Sequence, residues 1–292
     1  MKHAYLIMCH NNIRQLNTLL SLLDYKNNDF FLHVDKKWTS FDLNDLNELK
    51  YSNLYIIERM DIQWGGYSQI ECELKLLKQA VNTERYNYYH LISGQDLPLK
   101  TNKEIDDFFK KNEGKEFIRI QSPVFEFEDR VMYYYPIQKN IRNKYINMIN
   151  RICIKVQKMF KIHRNRKIKF QKGTNWFSIT NEFANYVLQK EEFIKETFHH
   201  TLCCDEIFLQ TLLLNSTLKN NLYYEKFDNN CEAIMRYIDW KRGNPYIFKN
   251  KDFDDLINSN LLWARKFDER IDNQIIQRIY EYLSDKKKRE EF

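Results

Sequence analysis

Apolar positions in the first third of the chain keep two rhythms. Continuous runs at 5–8, 30–35, 54–57 and 88–92 are bounded by polar turns and predict short strands buried on both faces. Between them, apolar residues recur at three- and four-residue steps over 13–23, and Ile70, Leu74, Leu77 and Val81 share one face of a helix over 70–80. Strands alternating with helices predict an α/β fold whose mostly parallel sheet is covered on both sides. In such sheets ligands bind beyond the carboxyl ends of the strands. His10, Asp35 and Asp96 fall there.

The pattern changes between 133 and 172. Tyr145, Met148, Ile149, Ile152, Val156, Met159 and Phe160 repeat at helical steps among basic residues, which predicts an amphipathic, cationic helix. Two readings stand side by side: a surface helix packed on the core, or one lying on an anionic membrane. Gly173-Thr-Asn-Trp176-Phe177 then returns to strand character. Helices follow over 181–189 and from Asp205-Glu206, and the last carries Ile275, Ile276, Ile279, Tyr280 and Leu283. No internal repeat or low-complexity linker interrupts the chain, so 1–292 reads as a single domain. Its parts are an α/β half over 1–130, a basic helical insertion over 131–172, and a second half with a C-terminal helix over 173–292.

Composition narrows the classes. With 43% hydrophobic residues the chain is ordinary globular material, and its six cysteines show neither C-x-x-C pairs nor zinc-ligand spacing. Reduced thiols and a cytoplasmic location are expected, since no stretch has the length or apolarity of a signal peptide or membrane span. The net charge of +6 hides an asymmetry: no acidic residue occurs from 131 to 181, while twelve Lys and Arg do, so the remainder is net negative. That block needs a polyanionic neighbour or a solvated face. A nucleic-acid reading would leave the strand-end carboxylates without a task, so nucleic acid is not expected as a partner.

Two cationic clusters carry the sharpest chemical signal. Arg236, Trp240 and Arg242 form one; Trp263, Arg265 and Lys266 form the other, about 25 residues on. Guanidinium forks with a lysine suit a diphosphate leaving group held without a metal ion. Gly65 and Gly66, directly before a helix with Ser68 as its N-cap, would let backbone amides face a ligand. Asp35 and Asp96 could accept from a nucleoside or cap the following helix. Of Asp205 and Glu206, Glu206 is the candidate general base, with Asp205 supporting or replacing it. Asp252-Phe-Asp254 reads as an acidic helix N-terminus, and no strand ends in Asp-x-Asp, so no metal and no cofactor are expected.

Seven motifs in order then resemble one family, the branching glycosyltransferases that include core-2 and I-branching N-acetylglucosaminyltransferases and peptide O-xylosyltransferases. The motifs are Phe31-Leu-His33-Val-Asp35-Lys36, Trp64-Gly-Gly-Tyr-Ser68, Tyr89-His-Leu-Ile-Ser93-Gly-Gln-Asp96-Leu-Pro98-Leu-Lys100-Thr-Asn102, Gly173-Thr-Asn-Trp176-Phe, Asp205-Glu206, Arg236-Tyr-Ile-Asp-Trp240 and Ala264-Arg-Lys-Phe-Asp268. The resemblance implies a GT-A-like fold, a UDP-sugar donor, inversion at the anomeric carbon and no metal requirement. It implies Glu206 as catalytic base, Arg242 and Lys266 on the pyrophosphate, Asp35 on the uracil side and Trp240 on the acceptor side. Beside these, His10, Gly65, Gly66, Asp96 and Arg265 stand as donor-side candidates, and Trp176 and Arg236 as acceptor-side candidates. The sequence departs from animal members in lacking their membrane anchor and disulfide framework, and in placing the basic 131–172 segment where their acceptor region lies. The expected donor sugar is N-acetylglucosamine or xylose. The expected acceptor is a glycan or lipid-linked hydroxyl in surface polysaccharide synthesis, with the protein peripheral to the inner membrane face. The alternative is a non-catalytic binder of UDP-sugars at the membrane surface.

Overall fold

The structure, a computed structural model, describes residues 1–290. Six strands form the main sheet: β1 (His3–Cys9), β2 (Asn28–Val34), β3 (Leu54–Ile56), β4 (Tyr88–Ser93), β6 (Phe117–Ile120) and β7 (Gly173–Thr180). Their spatial order is β3-β2-β1-β4-β7-β6, with β1, β2, β3 and β4 parallel and β7 antiparallel to both neighbours. The mixed, mostly parallel α/β sheet expected from the sequence is therefore present. All seven residues of β2 are buried, because side chains on both faces of the sheet meet a core. In β1, Ala4 and Leu6 point into one core and Tyr5, Ile7 and Cys9 into the other, the two-residue alternation of a pleated strand.

The helices are α1 (Ile13–Leu23), α2 (Ser68–Thr83), α3 (Asn102–Lys111), α4 (Glu128–Met132), α5 (Lys144–Met159), α6 (Asn181–Gln189), α7 (Glu191–Phe198), α8 (Phe208–Leu214), α9 (Phe253–Ile257) and α10 (Asn273–Glu290). One core packs α2, α6, α7 and α8 on the sheet; the other packs α1, α3, α9 and α10. A small second sheet, β5 (Asp96–Pro98), β9 (Trp263–Arg265) and β8 (Arg236–Ile238), brings the two cationic sequence clusters onto adjacent strands. This sheet joins residues far apart in sequence: β5 follows β4 after only Gly94 and Gln95, yet pairs with β9, Asp96 opposite Arg265.

The chain runs from β1 outward to β2 and β3, then returns to the other side of β1 as β4. Such a reversal opens a crevice beyond the carboxyl ends of β1 and β4. Gln15 of α1 closes its floor: wholly buried, it donates to the carbonyls of Gly94 and Phe267, each at 3.1 Å, and accepts from Glu269 N–H.

Several local expectations change. Tyr67, not Ser68, precedes α2, and the Ser68 hydroxyl instead accepts from Gln63 N–H at 2.8 Å. Asp205 and Glu206 do not open a helix. They sit in a single 3-10 turn, Cys204–Glu206, behind the left-handed residue Cys203 (φ 47°), and α8 starts only at Phe208. Asp252 does sit at a helix start, accepting from Lys249 N–H ahead of α9. The insertion begins inside α4, and α5 is not packed on the core by its apolar face; of its residues only Asn150 and Ile154 are buried.

Candidate active site

At the carboxyl end of β2, Asp35 accepts from Lys37 N–H at 2.8 Å, and its second oxygen lies 3.2 Å from the Lys37 ammonium. Next to it, His10 follows β1 at the surface. Desolvation holds its imidazole below the ordinary value, opposed by Asp35 and reinforced by Lys266, Arg265 and Lys37. The structure thus brings His10, Asp35, Arg265 and Lys266 into one neighbourhood, as the sequence suggested. His33, in the same motif, is interior: it accepts from Met60 N–H at 2.9 Å, and burial lowers its pKa to about 4.

Behind this rim lies a buried arginine cluster. Arg236 is fully enclosed; it donates to Asp96 at 2.7 Å and to the Leu91 carbonyl at 2.9 Å. Arg265 approaches the other Asp96 oxygen at 3.5 Å and lies 4.0 Å from the Trp176 ring centre, with Arg236 at 5.0 Å from the same ring. Burial lowers the Arg236 pKa to about 10, with Asp96 opposing and Arg265 and Arg119 adding repulsion. Asp96 serves both arginines; among the described residues the Nε atoms of Arg119 and Arg236 are buried without an acceptor, and the Arg265 nitrogen facing Asp96 has no partner closer than that 3.5 Å. Two expectations are corrected here. Asp96 is not a free strand-end acceptor but the enclosed counter-ion of two arginines. Arg236, expected on the acceptor side, is sealed inside, and Trp176 is the plate on which both guanidiniums lie.

Lys266 follows directly. It is half-buried, and burial with Arg265, Arg270 and Arg142 pushes its ammonium below the ordinary value, Asp268 opposing. Its ammonium has no hydrogen-bonded or ion-paired partner among the described residues. Arg242 differs. Its guanidinium binds both Asp239 and Asp252 and lies 4.1 Å from the Tyr246 ring centre. Tyr246 in turn accepts from Lys266 N–H at 3.3 Å, so the two cations expected to act together do share a support. Trp240 is half exposed on the rim beside them.

The Gly-Gly turn behaves differently from the expectation of open amides. Gly65 N–H donates to the Gln69 side chain at 2.6 Å, Gly66 N–H to the Gln63 carbonyl at 3.0 Å, and Tyr67 N–H to Gln138 at 2.8 Å. Gly65 has φ +71°, the left-handed conformation that favours glycine, and a Cβ there would also meet the end of the Ile141 side chain of the insertion at 2.7 Å. The Gly65 carbonyl accepts from Cys203 N–H at 2.8 Å, and Gln69 donates to Asp205 at 3.0 Å. The turn therefore braces the Asp205-Glu206 segment.

Those two acids part company. Asp205 faces inward towards Gln69, and burial, then the charge of Glu206, raises its pKa to about 7. The neighbouring Glu73 is enclosed with both oxygens unpartnered among the described residues, its pKa raised well above the carboxylate range by burial. Glu206 is the accessible one: about a third exposed, with Lys172 at 3.2 Å and Arg130 at 3.4 Å. Sequence reasoning missed Gln15, Gln69, Arg119, Arg130 and the individual role of Lys172. Only Lys172, directly before the Gly173-Thr-Asn-Trp176 motif, carried a usable signal. Among the described residues no group of three or more His, Cys, Asp or Glu side chains is placed to hold a metal ion.

Residues 3–256 match the family described as Core-2/I-Branching enzyme. Similar proteins include xylosyltransferase 2 of Rattus norvegicus, 25% identical over 94% of this chain and 33% of its own length, and that of Homo sapiens, 24% identical with the same coverages. Xylosyltransferase sqv-6 of Caenorhabditis elegans is 22% identical over 91% of this chain and 34% of its own. The chain thus spans about a third of the length of the curated relatives it matches. A crystal structure of S. aureus TarS is similar over 48% of this chain and 26% of its own at a TM-score of 0.28 and 15% identity, too slight a likeness to bear on the site. From the match across nearly the whole chain, with its motifs assembled around one crevice, this protein belongs to the core-2/I-branching enzyme family, a family of glycosyltransferases.

Proposed function

We propose that this chain is an inverting glycosyltransferase that moves a sugar, N-acetylglucosamine or xylose, from a UDP donor to a hydroxyl of a glycan or lipid-linked acceptor, without a metal ion. The observation that carries the reading is the half-buried, unpaired Lys266 ammonium beside Arg265 at the mouth of a crevice whose interior holds surplus positive charge. A diphosphate is the anion of matching charge and reach. Glu206 takes the proton from the acceptor hydroxyl as its oxygen forms a bond to the anomeric carbon. The bond from that carbon to the diphosphate breaks on the opposite face, and UDP leaves with the electron pair. Lys266 and Arg265 oppose the charge growing on the leaving oxygens in a largely dry site. Asp35 and His10 take the nucleoside side, and Trp240 the acceptor side. Arg242 reaches the phosphates only on releasing Asp239 or Asp252, so it is the second cation, not the first.

The test is a panel of UDP-sugars scored for thermal stabilisation and slow hydrolysis, with and without EDTA. One donor should stabilise the chain and be hydrolysed at the same rate in chelator. Activity lost in EDTA and restored by manganese would remove the metal-free part. UDP binding with neither hydrolysis nor transfer would make the chain a nucleotide-binding protein only.

A further inference from the structure

The basic insertion turns its apolar side away from the protein. At about 100° per residue, Tyr145, Met148, Ile149, Ile152, Val156 and Met159 fall within an arc of about 100° on α5. All six are exposed, Tyr145 by 75% and Met159 by 69%, and Phe160 and Ile162 extend the stripe beyond the helix end. The opposite side of α5 faces the protein, through Ile154 and through Asn150, whose side chain donates to the Ile137 carbonyl and accepts from Ile137 N–H. Lys144, Arg151 and Lys155 are exposed along one flank of the stripe, and Lys161, Arg166 and Lys167 follow its end. Large contiguous apolar patches on a chain of this charge mark an interaction surface.

We propose that α5 lies in the headgroup layer of an anionic lipid membrane, apolar stripe inward, with the flanking cations on lipid phosphates. Charge decides against a second copy of this chain. A two-fold contact would face this acid-free segment with itself, cation against cation. Nucleic acid is disfavoured because the centre of the surface is aliphatic, with cations at its edge instead of along a groove.

The docking also orients the active site. Gln138, ahead of α5, binds Tyr67 N–H in the Gly-Gly turn, and Lys158 of α5 pairs with Asp129 at 2.7 Å, one residue before Arg130, which touches Glu206. Lys172, at the other end of the insertion, also touches Glu206. A membrane-bound α5 therefore holds the Glu206 rim near the lipid surface. This last step rests on the transferase reading above; the docking itself does not.

Flotation of the full chain with vesicles of phosphatidylcholine, alone or mixed with phosphatidylglycerol, tests the proposal. Binding should require phosphatidylglycerol and weaken between about 0.1 M and 1 M salt. The double variant Ile152→Asp/Met159→Asp should lose flotation while its melting temperature and UDP binding stay unchanged, since both side chains are exposed. Lys155→Glu should weaken partitioning about fivefold or more. Equal binding to both vesicle types, no binding to either, or undiminished binding by the double variant overturns the proposal. A stable dimer without lipid that the double variant dissolves, or retention on RNA that it does not affect, overturns it in favour of that other partner. Failure of donor turnover with flotation intact would count against the transferase reading alone.

Discussion

Glu206→Gln keeps the volume and most hydrogen-bonding geometry of the proposed base and removes its ability to take a proton. Transfer should fall by about 10²–10⁴-fold, with UDP binding by calorimetry within a few-fold of the parent. Lys266→Ala should instead weaken UDP binding and lower kcat by about 10²–10³; unchanged UDP affinity would place the diphosphate elsewhere. Asp205→Asn separates the two adjacent acids by pH. The Asp205 pKa is raised from 3.8 to about 7 in the fold, so between those values the unfolded chain releases a proton that the folded chain keeps. The native state loses stability as pH rises through that window. The variant should melt like the parent near pH 4 and above it near pH 8, as read by thermal unfolding. At this scale the sequence singled out Glu206, Lys266 and Arg265 through their identities, set in ordered motifs, and the fold leaves Glu206 partly exposed and Lys266 half-buried beside Arg265. It misread Gly65, Gly66, Asp96 and Arg236 because residue type does not say which way an amide points or whether a charge is enclosed. Arg130 and Lys172 escaped notice because they stand at the two ends of the basic segment, Arg130 behind Glu128 and Asp129, and only the fold carries both to Glu206.

Among the elements, β1 to β4 and the first two helices were readable, the strands as short continuous apolar runs buried on both faces and the helices by the 3.6-residue period that burial imposes. The α1 bounds coincide with the apolar pattern, and α2 extends beyond the expected 70–80 to Ser68–Thr83, taking in Val81 of the apolar face and four polar end residues that periodicity does not mark. The face that a helix buries is less legible. Spacing establishes that α5 has an apolar stripe, and only packing shows that Asn150 and Ile154, on the far side, are the ones enclosed. The small sheet β5-β9-β8 was also hidden, since its three-residue strands are too short for any period and β5 pairs with a strand far along the chain, Asp96 opposite Arg265. Pairing of β6 with β7 depends on Gly173, where an added Cβ would come within 1.7 Å of the Arg119 carbonyl oxygen. Gly173→Ala should therefore cost at least about 4 kcal/mol and lower the melting temperature by well over 5 °C, taking Lys172 out of reach of Glu206. A variant that melts within a degree of the parent would show that the two strands can part without consequence.

For the molecule as a whole, ligand binding to the folded state alone raises its stability by about 2.7 kcal/mol at a concentration 100 times Kd. Saturating UDP should thus raise the melting temperature by several degrees, and the shift should vanish in Lys266→Ala.

The enclosed guanidiniums of Arg236 and Arg265 share Asp96, and Arg119 lies buried nearby against Cys231, so the crevice is a medium short of counter-ions. Simple oxyanions should therefore act as crude substitutes for the proposed nucleotide. At matched ionic strength the free protein should unfold at a higher temperature in phosphate or sulfate than in chloride, and that solvent preference should disappear once the donor is bound.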